Sequence, residues 1–502
     1  MDLSAFANLV IYPRSPVESD GTTYVLAQTP GVPLLAAPAR GDRLLAIKGD
    51  ATGFDGQQQG ELFLCPLTAA NAAALRERLR WLRPQLLGLQ KSAGLGDRLG
   101  LATPGHIRAL RNFSDFSPIL AQQSMRENAR TGRTAQQVLD DAMWGAFQEG
   151  WRQLWGADAD HLKTTAEVDL CVAAGYTFYT VDPGDHVDNE AHTASVDVLE
   201  DKLLALPWAE LEDSPEGLRK RYLGRQFEAE DLVLEFDEAS LARAAAKYGR
   251  AIMHTARMYR HLGAAIVSGL PTARSSKGHR SAQAFELEVS VDETDTPTSP
   301  LEHYFVASEL KRLGVQWVSM APRYIGRFEK GVDYIGDLAA FDADLAKHAA
   351  IARVLGPYKL SIHTGSDKFS IYSSFAHHAG ELVHLKTAGT SYLEALRAIA
   401  GVDPELFRQI LAFARERYGE DRATYHVSGE LARVPLPEDL ADGQLAGLLD
   451  QFDGRQVLHV TFGSVLHRYG ERLFAVLAKH EEAYYAALEA HFVRHLKPFQ
   501  VG

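Results

Sequence analysis

From Leu99 to its C terminus this chain repeats one rhythm: a short apolar run, a polar loop, then a segment with helical spacing. The runs are "RLGLATPGH" (98–106), "DHLKT" (160–164), "TFYTVDPGDH" (177–186), "AFELEVSVDE" (284–293), "VQWVSMAPR" (315–323), "YKLSIHTGSDK" (358–368), "ELVHLKTA" (381–388) and "QVLHVTFG" (456–463). Helices are expected between them at 165–175, 299–313, 337–355 and 391–418. Strands that alternate with helices pair in parallel, because each helix carries the chain back to the end where the next strand begins. Eight such units imply a (β/α)8 barrel of the TIM type. "ATYHVSGE" (423–430) competes with 456–463 for the last strand.

The flanks read differently. Residues 1–67 carry the short apolar runs "TTYVLAQ", "PLLAAPA", "RLLAIKG" and "ELFLCPL", separated by Gly, Pro and Asp, and a helix follows over 69–89. The expected organisation is a strand-rich N-terminal region over 1–90 and a catalytic barrel over 91–470. A charged helical insertion at 195–262 falls between the third and fourth strands, and a terminal amphipathic helix, "EEAYYAALEAHFVRHL", lies in 471–502.

Alternate residues of a barrel strand face the interior and the surrounding helices. In "VHLKT" that sends His384 and Lys386 inward. In "DHLKT" it sends His161 and Lys163 inward and Asp160 outward, unless the strand ends there. "FELEVSVD" gives Phe285, Leu287, Val289 and Val291 to the helices and aims Glu286, Glu288 and Asp292 at the interior; His363 and Asp182 also take inward positions. An apolar outer face is ordinary, but buried ionised groups are costly unless paired or bound to something. At the C-terminal ends of barrel strands they mark a site of chemistry. The two His-Leu-Lys-Thr copies, 161–164 and 384–387, therefore read as two strands serving one site rather than as a repeat.

Composition excludes several alternatives. A formal net charge of −13 leaves no basic excess for phosphates, so no nucleic-acid partner is expected. Cys65 and Cys171 are the only cysteines, too few for a disulfide framework or a thiolate zinc site. No run of membrane-spanning length and no leader-like start occurs, so no membrane partner and a cytoplasmic location are expected. "GLGDRLG" (94–100) precedes its strand and is no dinucleotide fingerprint; "SGLPTARSSKGHRS" (268–281) lacks a phosphate-loop pattern.

His161, His363 and His384 near three strand ends are candidate metal ligands, and each reads equally as a hydrogen-bonded core histidine. Glu288 is a ligand or general acid/base, with Asp160 beside His161. Lys163 and Lys386 are candidates to neutralise an oxyanion or carboxylate, to form a Schiff base, or only to pair with Glu286 or Glu288. Asp182 is a further substrate-binding candidate. Arg323, in "APRY", suits bidentate capture of a carboxylate, or is a solvated loop arginine.

"DADHLKT", "TVDPGDHVDN", "FELEVSVDETDTPTSP", "IHTGSDKFS", "VHLKTAGTSYLEALR" and "LHVTFGSVL", in that order, resemble the tagaturonate epimerase family from about residue 95 to the end. The resemblance implies metal-dependent interconversion of D-tagaturonate and D-fructuronate, with relatives acting on tagatose and fructose. It implies one divalent ion (Zn, Mn, Ni or Co), with His161, His363 and His384 as ligand candidates and Asp160 and Glu288 as acid/base candidates. Its partner is a small-molecule ketose or keto-uronate, and a homo-oligomer is the one assembly expected. The two sugars differ at C4, which is not α to the C2 ketone, so enolisation cannot invert it; retro-aldol cleavage through a metal-bound enediolate can. Rival readings are a Schiff-base aldolase using Lys163 or Lys386, a metal aldose–ketose isomerase, and a non-catalytic sugar-binding protein.

Overall fold

In the computed structural model, which describes residues 3–28, 43–269, 284–387 and 389–500, eight parallel strands close on themselves. They are β1 (Ser92–Leu95), β2 (Ser117–Ser124), β3 (Gly156–Leu162), β4 (Phe178–Val181), β5 (Glu286–Ser290), β6 (Ser319–Ala321), β7 (Lys359–Ile362) and β8 (Val383–Thr387). Their order round the barrel is their order in the chain, and β8 closes on β1 with His384 opposite Ser92 and Thr387 opposite Leu95. The outward residues are apolar and buried against helices, as Leu287, Val289, Val383 and Leu385 are. Their removal from water drives closure, at roughly 25 cal/mol per Å² of apolar surface.

Helix starts follow local chemistry. Thr164 and Glu167 cap the helix Thr165–Ala174 reciprocally, and Ser299 and Glu302 do the same for Pro300–Arg312. Gly175, at φ +96°, ends the first of these in the left-handed conformation that glycine adopts without strain.

The sequence reading named eight strands but misplaced two. Residues 98–106 are no strand; Thr103–Leu110 is a helix. The true first strand, "SAGL", is only four residues, three of them small, and the second, "SPILAQQS", has a proline at its second position and ends in polar residues, so neither carries a strand-like pattern. At the other end, "QVLHVTFG" lies in the helices Phe452–Val460 and Phe462–Lys479. Its β-branched run is a fully buried helix face, which periodicity cannot distinguish from a strand. Residues 423–430 form no strand either, so β8 is the last. The insertion consequently falls between β4 and β5, and it includes an antiparallel hairpin, Gln226–Ala229 with Leu232–Glu235, ahead of the long helix Glu238–Gly269.

The strands expected at 22–28, 43–49 and 61–67 are present in an antiparallel N-terminal sheet, and the helix after them stops at Arg78. "PLLAAPA" lies outside the described residues, as does most of 268–281. This sheet docks on the terminal helix Glu481–Leu496, where the Tyr12 hydroxyl and the Arg43 guanidinium both donate to Glu481. Gly105 lets the helix Thr103–Leu110 pack there, since a Cβ at that position would meet the Leu488 side chain at 2.6 Å. No helix among the described residues is long and apolar enough to cross a membrane.

Candidate active site at the C-terminal end of the barrel

The interior of the barrel is polar, and its centre is Lys386. This ammonium is 1% exposed and lies 2.8 Å from Asp158, 2.7 Å from Asp160 and 2.7 Å from Glu288, and it also donates to Thr180 Oγ1 at 2.6 Å. One cation among three carboxylates leaves an acidic surplus. Burial foremost, with Asp160 and Glu288 adding to it, lifts the Asp158 carboxyl to about 7 against the pull of Lys386. Burial, the largest influence, pushes Asp160 and Glu288 up, but Lys386 together with His363 and the other nearby histidines outweighs it and holds both below the usual carboxylate range.

One layer nearer the mouth, two imidazoles meet. His161 Nε2 and His363 Nδ1 are 3.3 Å apart. His161 Nδ1 faces Asp182 Oδ2 at 3.1 Å, and His363 Nε2 faces Glu288 Oε1 at 2.5 Å. Asp292 Oδ1 and Ser290 Oγ are both 3.2 Å from His363 Nδ1. Burial alone would lower both rings, but the carboxylates raise His161 to about 10, Asp160 first among them, and His363 to about 8, through Asp292 and Glu288.

A regular strand could not present this set. β3 slips against β4 between Tyr179 and Val181, where two residues of β4 span three of β3. At the slip His161 takes φ +52°, a left-handed conformation uncommon outside glycine and found disproportionately at functional sites. Asp158 and Asp160 point inward by alternation, and the kink turns the next side chain, His161, inward as well. Asp160 is thus an interior group where simple parity pointed it outward, because the strand begins at Gly156 and breaks at its end.

Above these rings opens a cavity of about 560 Å³, lined by Asp292, Glu293, Arg323, Lys330, His363 and Thr364 among others. The donor set suits a divalent cation. Asp160, His161 and His363 bring ligand atoms within 4.8 Å of one another, and so do His161, Asp182 and Glu293. His161 Nε2, Asp292 Oδ1 and Ser290 Oγ converge on His363 Nδ1, a set of atoms that shares protons or, with the rings deprotonated, could hold a divalent ion.

Residues 12–499 match the family described as tagaturonate epimerase, UxaE. The chain belongs to the tagaturonate epimerase family. The tagaturonate/fructuronate epimerase of Thermotoga maritima is 43% identical over 463 residues, which are 90% of this chain and 91% of that protein. Two crystal structures of the fructuronate-tagaturonate epimerase UxaE from Cohnella laeviribosi, native and with one glycerol, share 36% identity and a TM-score of 0.88 with this chain. They cover 99% of it, and 98% and 97% of themselves respectively.

Within this tagaturonate epimerase fold the sequence candidates separate. His161, His363, Asp160 and Asp182 come together beneath the cavity, which His363 alone of the four lines. His384 lies apart from both groupings: its Nδ1 contacts Ser92 Oγ at 2.9 Å, its ring packs on Phe178, and burial lowers it to about 3. Glu288 is fully buried behind His363 and does not line the cavity. Lys386 is occupied by three carboxylates, and Lys163 leaves the interior to pair with Asp185 at 2.8 Å. Arg323 reaches the cavity wall, with its Nη1 donating to the Tyr324 carbonyl.

Sequence reasoning gave no role to Asp158, Thr180, Gln122, Asp292, Glu293 or Lys330. Asp158 was legible two residues before Asp160, had the strand been extended backward. Gln122, which donates to Asp160 at 2.8 Å, sits on the strand that carried no pattern. A third cluster, Asp367 with His491 and His495, lies in the packing between the β7 loop and the terminal helix. Its donors are already used: His495 accepts from the Asp367 N–H and donates to the His491 carbonyl, and Arg455 pairs with Asp367 at 2.6 Å.

Proposed function

We propose that this enzyme interconverts D-tagaturonate and D-fructuronate by breaking and re-forming the C3–C4 bond. The observation that carries the reading is the His161–His363 pair set among Asp160, Asp182, Asp292 and Glu293, and opening through His363, Asp292 and Glu293 to a sugar-sized cavity, in a chain of this family. His161 and His363, with Asp160, Asp182 or Glu293, would hold a divalent ion, which when bound acts as a Lewis acid toward the ketone oxygen.

The chain's own groups handle protons and charge. Asp292, which lines the cavity where Glu288 does not, takes the C4 hydroxyl proton. The electron pair of the C3–C4 bond passes to the C2–C3 unit as an enediolate, leaving a three-carbon aldehyde that carries C4, C5 and the carboxylate. That aldehyde turns, the enediolate adds to its other face, and the carboxyl that took the proton, or Glu293 beside it, returns one to the new C4 alkoxide. Lys386 holds Asp160 and Glu288 ionised and in place from below. The carboxylate of the substrate lies on the cationic wall that carries Arg323 and Lys330.

The Schiff-base reading is disfavoured by both of its lysines. Lys386 is pushed well above its usual value because its three carboxylate neighbours outweigh burial, and Lys163 is raised against burial by its bond to Asp185 and by Asp182. Activity on neutral tagatose and fructose belongs to the same mechanism, with the carboxylate contacts unused. The test is NMR of D-tagaturonate with the metal-replete protein and after chelation. Fructuronate formed only by the replete protein is expected; equal turnover after exhaustive chelation would remove the metal from the account.

A further inference from the structure

We propose that Lys330 selects a carboxylate-bearing ketose over its uncharged counterpart, by pairing with the end of the substrate that the chemistry releases as an aldehyde. The inference rests on the reading of the cavity as a keto-uronate site.

Three observations lead to this residue. First, its ammonium lines the cavity and donates to Thr364 Oγ1 at 3.1 Å, yet it makes no ion pair among the described residues. Other cations at this mouth are engaged: Arg126 with Glu293 at 2.9 Å, Arg327 with Glu329 at 3.7 Å. A half-buried lysine that acts on Glu127 and Glu293 through space but ion-pairs with neither is a ready partner for a carboxylate that arrives.

Second, its tether is adjacent to the chemistry. Thr364 directly follows His363 in the chain, so Lys330 is fixed to the strand end that presents the His363 ring to the cavity. Arg323, which likewise makes no ion pair among the described residues, donates an Nη1–H to the carbonyl of its own neighbour, and its backbone N–H goes to Thr298.

Third, the surrounding backbone is held by buried polar groups. Lys368, fully buried, donates to the carbonyls of Glu329 at 2.9 Å, Ser366 at 3.1 Å and Val332. Arg455 donates to the Gly331 carbonyl at 2.5 Å. Glu329 Oε2 accepts from the Ser428 N–H and hydroxyl and from Gln456. A reciprocal backbone pair between Arg327 and Ile335 closes the loop. Burying a lysine and an arginine to fix one loop is costly. The residue so framed, with its neighbours on both sides immobilised, is Lys330, and a charge held in place before binding loses little entropy on pairing. The carboxylate stays on the fragment that must turn without leaving, so an anchor there retains it through the open state.

The experiment measures kcat/KM of Lys330→Met for D-tagaturonate and for D-tagatose beside the wild type. The preference for the uronate should fall about 10- to 100-fold, the range of a hydrogen bond to a charged group, mainly through KM. Lys330→Gln, which keeps a donor for Thr364, should lose the preference to the same extent, and Lys330→Arg should regain part of it. The wild-type KM for the uronate should rise with ionic strength and that of Lys330→Met should not. An unchanged preference in both neutral variants, with a wild type that turns over the uronate, overturns this inference alone. A wild type that converts no keto-uronate overturns the reading of the site and this inference with it.

Discussion

The same four residues, His-Leu-Lys-Thr, end two strands of this barrel and meet opposite fates. In β8 they run along a regular strand, so His384 and Lys386 both point inward and both are buried. In β3 the tetrapeptide starts at the next-to-last residue of a strand that slips its register. His161 turns inward to meet His363, and Lys163 leaves the interior to pair with Asp185. The electrostatic outcomes diverge as well: burial drops His384 to about 3, while carboxylates outweigh burial to lift His161 to about 10. A motif's chemistry here is set by its distance from the strand end, not by its letters.

The largest effect should come from the β8 copy. Lys386→Met removes the cation that Asp158, Asp160 and Glu288 share, and breaking such a buried network costs about 3–5 kcal/mol. Denaturant unfolding should show that loss, and a near-native stability would mean the carboxylates do not depend on it.

Next comes the β3 copy. His161→Ala and His363→Ala should each lower turnover by about 10²- to 10⁴-fold with a far smaller loss of stability, and each should weaken uptake of added divalent metal. Equal metal uptake by variant and wild type, measured calorimetrically, would remove that ring from the ligand set.

The pH responses of the two rings should differ in sign. His384 has its folded value depressed, so it binds its proton in the unfolded chain first, and stability falls as pH drops from about 6.5 toward 3, with a slope of about 1.4 kcal/mol per unit for one group. His161 in the metal-free protein has its folded value raised. Its contribution is complete below about 6.5 and is lost as pH climbs toward 10. Histidine NMR titration distinguishes the two directly, and a His384 that charges near neutral pH would contradict its placement. Lys163→Ala should be the mildest change, within about 1 kcal/mol, because its pairing with Asp185 is largely exposed.

The sequence made the barrel legible through its middle, where strands such as "FELEVSVD" alternate strictly and their inward carboxylates stand out against apolar neighbours. It failed at both ends for one reason: β1 and β2 are too short, too small or too polar to carry a period, while a fully buried helix near residue 460 mimics a strand. Of the candidate site, His161, His363 and Asp182 could be named from strand ends, whereas alternation pointed Asp160 outward and only its place beside His161 and the family resemblance marked it. Lys330 could not, since nothing in "GRFEKGV" reveals that buried groups from the β7 loop and from Arg455, Ser428 and Gln456 will fix that loop against the cavity. Asp292 was visible as an inward residue but not as the carboxylate that reaches the cavity, a distinction that depends on which groups lie behind His363.

The measurement that bears most directly on the account is the fate of the C4 proton. With D-tagaturonate, metal-replete protein and D2O as solvent, carbon–carbon cleavage leaves that hydrogen on the aldehyde carbon throughout, so the fructuronate formed should retain protium at C4. Deuterium at C4 would contradict the bond-breaking mechanism and require the floor of this cavity to exchange a carbon-bound proton instead.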